Sequence, residues 1–159
     1  MSKDWLFRGE TYICDLRAAG VLVRDGRLLV QRERDGCEYA LPGGHVQIGE
    51  TTQEALVREY EEETGAKIVC GPLLWTEECF FAWNGRQTHN ISFYYQIALA
   101  DGADIPDTGV FVPHRDNERV VFGWLPVEEI ENVTIYPAFL KEEIFHLGGA
   151  PKHFVTREQ

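Results

Sequence analysis

Residues 43–66 read GGHVQIGETTQEALVREYEEETGA, a turn running into a helix. Thr51 and Glu54 stand at capping-box spacing, and Gly65 stands where a left-handed residue closes a helix. Between them TQEALVREYEEET is rich in strong helix formers. At about 100° per residue, Glu59, Glu62 and Glu63 share one face, beside an apolar stripe of Leu56, Val57 and Tyr60. Glu61 points away from the three. The helix is therefore expected to anchor on a sheet and to show three carboxylates next to that contact.

Like charges this close repel, and the cost makes sense if a cation sits among them. A hard cation such as Mg²⁺ prefers oxygen ligands, keeps several waters and bridges to substrate phosphates. Such an ion polarises a phosphoryl oxygen and activates water as a nucleophile. The competing reading is an ordinary solvated Glu-rich face.

The surrounding spacing favours the metal. Gly44, Glu50, Arg58, Glu59, Glu62, Glu63 and Gly65 fall in the order G-x5-E-x7-R-E-U-x-E-E-x-G-U, with U a bulky aliphatic. This resembles the Nudix box, and a chance match to its fixed letters is on the order of one in a million. The two departures, Tyr60 and Ala66, are at U positions and concern packing. Leu41-Pro42-Gly43-Gly44, the hairpin before it and Trp124-Leu125-Pro126 extend the resemblance over about residues 17–147.

The resemblance implies an α/β fold: an α/β/α sandwich with a mixed sheet between helices, here one domain over residues 1–159. It implies a metal-dependent hydrolase of a nucleoside diphosphate linked to another moiety. Glu59, Glu62 and Glu63 would bind Mg²⁺ or Mn²⁺, joined by the carbonyl of Gly44 and by Glu118 from a later acidic loop. Glu62, Glu63, Arg58 and Glu50 form the expected catalytic set, the last two orienting the site. The Gly43-Gly44 pair suits close backbone approach to metal or phosphate. Dimers are common among similar proteins, so a homodimer is a further expectation. ADP-ribose, dinucleoside polyphosphates, nucleotide sugars and modified nucleoside triphosphates all fit the box.

Elsewhere, Arg17–Val23 and Arg27–Arg34 flank Asp25-Gly26, which predicts a hairpin with a type I′ turn. Strands are expected at about 67–82, 91–99 and 119–125, with an acidic Pro/Gly-punctuated loop over 101–118. A second helix is predicted from Pro137 to Leu147, and a short strand at His153-Phe154-Val155. Strands mixed with two helices point to a sheet layered between helices.

The chain has 159 residues, 44% hydrophobic, too apolar for a disordered protein and suited to one compact domain. A net charge of −11 repels a phosphate backbone, which argues against binding duplex nucleic acid but not against a small polyanion met through cations. No run approaches a membrane span, and Met1-Ser2-Lys3-Asp4-Trp5 lacks the apolar core of a signal peptide. Cys14, Cys37, Cys70 and Cys79 lack zinc-ligand spacing and read as reduced, mostly buried thiols of a cytoplasmic protein.

Arg32 and Arg34 alternate onto one face of a strand and are candidates to grip phosphate. Phe80 is the candidate to stack a base, with Phe81 and Trp83 as neighbours and core packing as the competing role. His45, His89 and His114 read as surface or turn histidines. The expected function is hydrolysis of a diphosphate linkage by water attack on phosphorus. The alternative is a non-catalytic nucleotide-binding or sensor module on the same fold, which a degraded box would favour.

Overall fold

A computed structural model describes residues 3–158; the first two residues of the N-terminal stretch read above lie outside them. The chain enters through β1 (Leu6–Arg8) and β2 (Tyr12–Val21), then β3 (Val23–Arg24) and β4 (Arg27–Glu33). Two short strands, β5 (Glu38–Ala40) and β6 (Gly43–His45), lead into helix α1 (Thr52–Thr64). The long strands β7 (Ile68–Trp83) and β8 (Arg86–Leu99) follow, then β9 (Val112–Pro113) and β10 (Val120–Pro126). A 3-10 turn over Val127–Asn132, β11 (Thr134–Tyr136), helix α2 (Leu140–Glu143) and β12 (Lys152–Arg157) complete it.

The strands form two sheets. One runs β1-β2-β8-β7-β12 with β6 on the edge of β2; the other runs β11-β5-β4-β10-β9 with β3 on β4. Strand β4 shows why they pack together. Leu28, Leu29 and Val30 are all fully buried, Leu29 facing one apolar cluster and its two neighbours the other. The first cluster takes Ala55, Leu56 and Tyr60 of α1 against Ala18, Tyr95, Ile97 and Trp124. The second takes Ile130, Ile135 and Leu140 against Val21, Trp75, Tyr94 and Leu125. The sheets thus lie between α1 on one side and α2 with the 3-10 turn on the other, an α/β/α sandwich.

Several expectations change in detail. Asp25 and Gly26 take φ of 51° and 74°, as the predicted turn needs, but the hairpin is two residue pairs deep, Val23 with Leu28 and Arg24 with Arg27. Beyond Leu22 the arms part: β2 runs parallel to β8 over ten residue pairs, Tyr12–Gln87 to Val21–Gln96, while β4 pairs with β10 in the other sheet. Alternation reveals a strand but not its partner. The predicted 137–147 helix shrinks to Leu140–Glu143, because the turns around it close onto the third residue back, Leu140 onto Pro137 and His146 onto Glu143. The terminal strand is longer than expected and lies parallel to β7.

The cysteines are free; Cys14, Cys70 and Cys79 are half-buried, whereas Cys37 is exposed on the turn after β4. Among the described residues no helix is long and apolar enough to cross a membrane.

Candidate active site

Helix α1 forms where the sequence places it. Thr51 accepts from the Glu54 backbone N–H, Glu54 accepts in return from that of Thr51, and Gly65 closes the helix at φ 76°. Burial of Ala55, Leu56 and Tyr60 fixes the rotation of the helix, so Glu59 lies against β6 and Glu63 against the loop before β10, while Glu62 stays half-exposed beside Arg58.

Arg58 organises these carboxylates. Its Nε and Nη2 donate to the two oxygens of Glu50 at 2.6 and 3.0 Å, a bidentate grip that holds the Glu50 carboxyl below its usual range. Nη1 donates to Glu59 Oε1 at 2.7 Å and to Glu62 Oε2 at 3.3 Å. Nη2 also reaches the His45 carbonyl, tying α1 to β6. The guanidinium, charged throughout, takes one oxygen from each of Glu59 and Glu62 and leaves the other.

Glu63 differs. Its side chain is buried, none of the Arg58 hydrogen bonds goes to it, and Oε2 has no partner. Burial foremost, then the charges of Glu59 and Asp116, pushes its carboxyl up to about 9. Glu59 lies against the backbone of Gly44, where a Cβ would overlap its carboxylate. Gly43 presses on the Ala18 carbonyl of β2 so closely that a Cβ has no room.

Among the described residues no three His, Cys, Asp or Glu side chains already converge as a metal cage. The donor set nonetheless suits a hard divalent cation. It offers carboxylate oxygens only, two of them left by Arg58, and one buried oxygen on Glu63 that lacks a partner.

Beside this array a cleft of about 490 Å³ opens between the two sheets. Arg17 and Gly43 line its near end, and Arg17 also acts on Glu63 by charge. Arg17 lies 3.3 Å from His45 Nε2, whose ring lies 2.9 Å from Asp15. Burial raises the Asp15 carboxyl, but His45, Asn90 and Arg17 outweigh it and hold it low. Deeper, the walls are Glu77, Cys79, Phe81, Asn90, Ser92 and Tyr94.

The structure brings together Glu50, Arg58, Glu59, Glu62, Glu63, Gly43 and Gly44, and it sets the remaining candidates apart. Phe80 faces away from the cleft, its ring stacked 4.2 Å from His89 with Arg157 on it; Phe81 and Trp83 face inward instead. The alternation of β7 separates these neighbours. Arg32 donates to the carbonyls of Glu33, Arg34 and Gly36, and Arg34 grips the carbonyl of Glu118. Both guanidiniums thus close turns. The Glu118 side chain is exposed, and the loop carboxylate that acts on Glu63 is that of Asp116. Arg17 and Asp116 were not singled out by sequence; only the pairing of β2 with β6 brings Arg17 beside His45.

A model of the NUDIX domain matches residues 15–145, and the chain belongs to that family. It is 28% identical over 117 residues to a putative mutator protein MutT4 of Mycobacterium tuberculosis, covering 74% of this chain and 40% of that protein. It is 46% identical over 50 residues to an ADP-ribose pyrophosphatase of Methanocaldococcus jannaschii, covering 29% of each. The match therefore spans less than half the length of either relative. The crystal structure of a mutator MutT protein from Bacillus halodurans superposes with a TM-score of 0.62 at 16% identity, over 91% of this chain and 90% of that one. It shares the fold.

Proposed function

We propose that this chain, as one Nudix-like domain, is a divalent-cation-dependent pyrophosphohydrolase that splits a phosphoanhydride bond in a nucleoside diphosphate derivative. The observation that carries the reading is the Glu59–Glu62–Glu63 array. It is intact, ordered by Arg58 and Glu50, and holds one buried carboxylate oxygen without a partner. A sensor module has no need to bury Glu63 in this way.

Glu59, Glu62 and Glu63, with the Gly44 carbonyl, would hold Mg²⁺ or Mn²⁺, which neutralises phosphate charge and lowers the pKa of a bound water. Arg58 fixes the rotamers of Glu59 and Glu62, and Glu50 fixes Arg58. Arg17, between the array and the cleft, is placed to take a phosphate oxygen, while the cleft takes the nucleoside. The names of similar proteins supply ADP-ribose and 8-oxo-dGTP as first candidates.

The test is a panel of ADP-ribose, nucleotide sugars, dinucleoside polyphosphates and nucleoside triphosphates with Mg²⁺ or Mn²⁺. Products are identified by mass and kcat/KM values are ranked. Cleavage at an anhydride, abolished by EDTA, is the expected result. Tight nucleotide binding without turnover on any member would establish the sensor reading instead.

A further inference from the structure

We propose that Glu77 selects the base of the substrate, and that it selects a ring presenting an N–H beside an NH₂, the guanine edge. This rests on the reading that the inter-sheet cleft takes the nucleoside. Glu77 is only 4% exposed, yet it lines that cleft, on the inward face of β7. Tyr94 Oη donates to its Oε2 and Thr156 Oγ1 to its Oε1, both at 2.7 Å. Both partners are neutral hydroxyls, and among the described residues no cation forms an ion pair with Glu77.

A carboxylate accepts at about four positions. Tyr94 and Thr156 take one on each oxygen, and the Cys79 thiol, a weak donor on the cleft wall, is the third group bonded to Glu77, one that a ring N–H can displace. A buried anion in that condition is costly unless donors complete it, and the cleft supplies few. Glu38 and Glu158 are further acceptors along its wall, and Arg17 is the sole Arg or Lys among the described lining residues. The mouth is acidic enough that Glu38 foremost raises the Tyr136 hydroxyl. An anionic group is repelled from this end, and a donor-rich neutral ring is drawn in. Phe81, Trp83 and Tyr136 offer aromatic faces for such a ring.

Chemistry narrows the ring further. Uracil has a single N–H between two carbonyls, and adenine and cytosine set an amino group beside an acceptor nitrogen. Guanine alone sets two donor groups side by side, which is the arrangement that the two oxygens of one carboxylate match. The phosphates then lie toward Arg17 and the glutamate array, at the other end of the cleft.

The experiment compares GTP with ITP, which lacks only the 2-amino group, in the wild type and in Glu77→Gln, with Mg²⁺. A hydrogen bond to a charged group predicts kcat/KM about 10–100-fold higher for GTP in the wild type. Glu77→Gln replaces one acceptor with a donor and should bring the ratio within about threefold, through KM rather than kcat. A wild-type ratio near one, or an undiminished ratio in the folded variant, overturns the proposal. The wild-type ratio decides alone if the variant does not fold. If neither triphosphate is cleaved, the hydrolase reading is what suffers, and calorimetric titration with GMP and IMP tests Glu77 separately. GMP binding tighter by the same factor, lost in Glu77→Gln, supports it; equal binding overturns it.

Discussion

Glu63→Gln should stabilise the metal-free protein, and more so the higher the pH. The wild-type carboxyl is buried and pushed from an ordinary 4.5 up to about 9, so the folded state holds a proton that the unfolded chain releases. Its contribution is complete below pH 4.5 and is lost as pH rises toward 9. At 1.36 kcal/mol per unit, the full shift costs roughly 4 kcal/mol between pH 5 and pH 8. Relaxation of the buried site around the charged form reduces the expected loss to about 2–4 kcal/mol. For a chain of this size that is roughly 5–15 °C in Tm. The introduced amide would not titrate, so the variant should track the wild type near pH 5 and exceed it at pH 8. Thermal or urea unfolding in EDTA, monitored by tryptophan fluorescence, measures both. Millimolar Mg²⁺ should then raise the wild type at pH 8 by displacing the proton, and the variant much less. Parallel pH profiles for the two proteins, or a variant less stable at pH 8, would refute the reasoning.

Stripping divalent ions should abolish turnover, and excess Mg²⁺ or Mn²⁺ should restore it; undiminished rates in EDTA after stripping would contradict this. Glu62→Gln should lower kcat about 10²–10³-fold, by analogy with losing a preorganised electrostatic group, while Glu61→Gln, exposed and one residue away, should shift stability by at most about 0.5 kcal/mol and leave the rate nearly intact. Steady-state kinetics on the best substrate of the panel separates the two. The adjacent glycines should fail differently. Gly43→Ala meets the β2 backbone and should destabilise the fold by about 1–3 kcal/mol in urea unfolding. Gly44→Ala meets the movable Glu59 side chain first and should weaken metal-dependent activity with a smaller loss of stability.

The helix and its carboxylates were legible because both depend on local rules. Capping spacing fixed the ends of α1, and the 3.6-residue period fixed which glutamates share a face. Tertiary pairing was not legible. The Asp25-Gly26 turn formed as read, yet the strands before and after it entered different sheets. The same turn chemistry at Asn84-Gly85, with φ of 49° and 77°, joins β7 to β8 and extends β8 back to Arg86; that signal is present in the sequence but lies outside the expected strand. Cleft residues suffered most. Phe80 and Phe81 are equal in sequence terms, and only the pleat of β7 decides which one lines the cleft. Arg32 and Arg34 carry the right charge for phosphate, but the turn carbonyls after β4 hold Nη1 of the first and the carbonyl of Glu118 holds Nε and Nη2 of the second, away from the cleft lining.

Arg58 changes what the clustered glutamates imply. Three glutamates on one helical face call for a cation, and from sequence that cation reads as a metal ion. The fold already provides one, a guanidinium whose donors serve Glu50, Glu59 and Glu62 together. Clustered charge at those positions is therefore offset in part within the chain, one positive charge among three carboxylates, and is a weaker argument for a metal than the sequence suggests. What Arg58 does not reach is Glu63: buried, beside Glu59 and Asp116, with one oxygen lacking any partner. A structural role would be served as well by a glutamine or a leucine there, at lower cost in the apo protein. The case for a metal thus rests less on how many acidic residues the helix carries than on the one its own arginine does not reach.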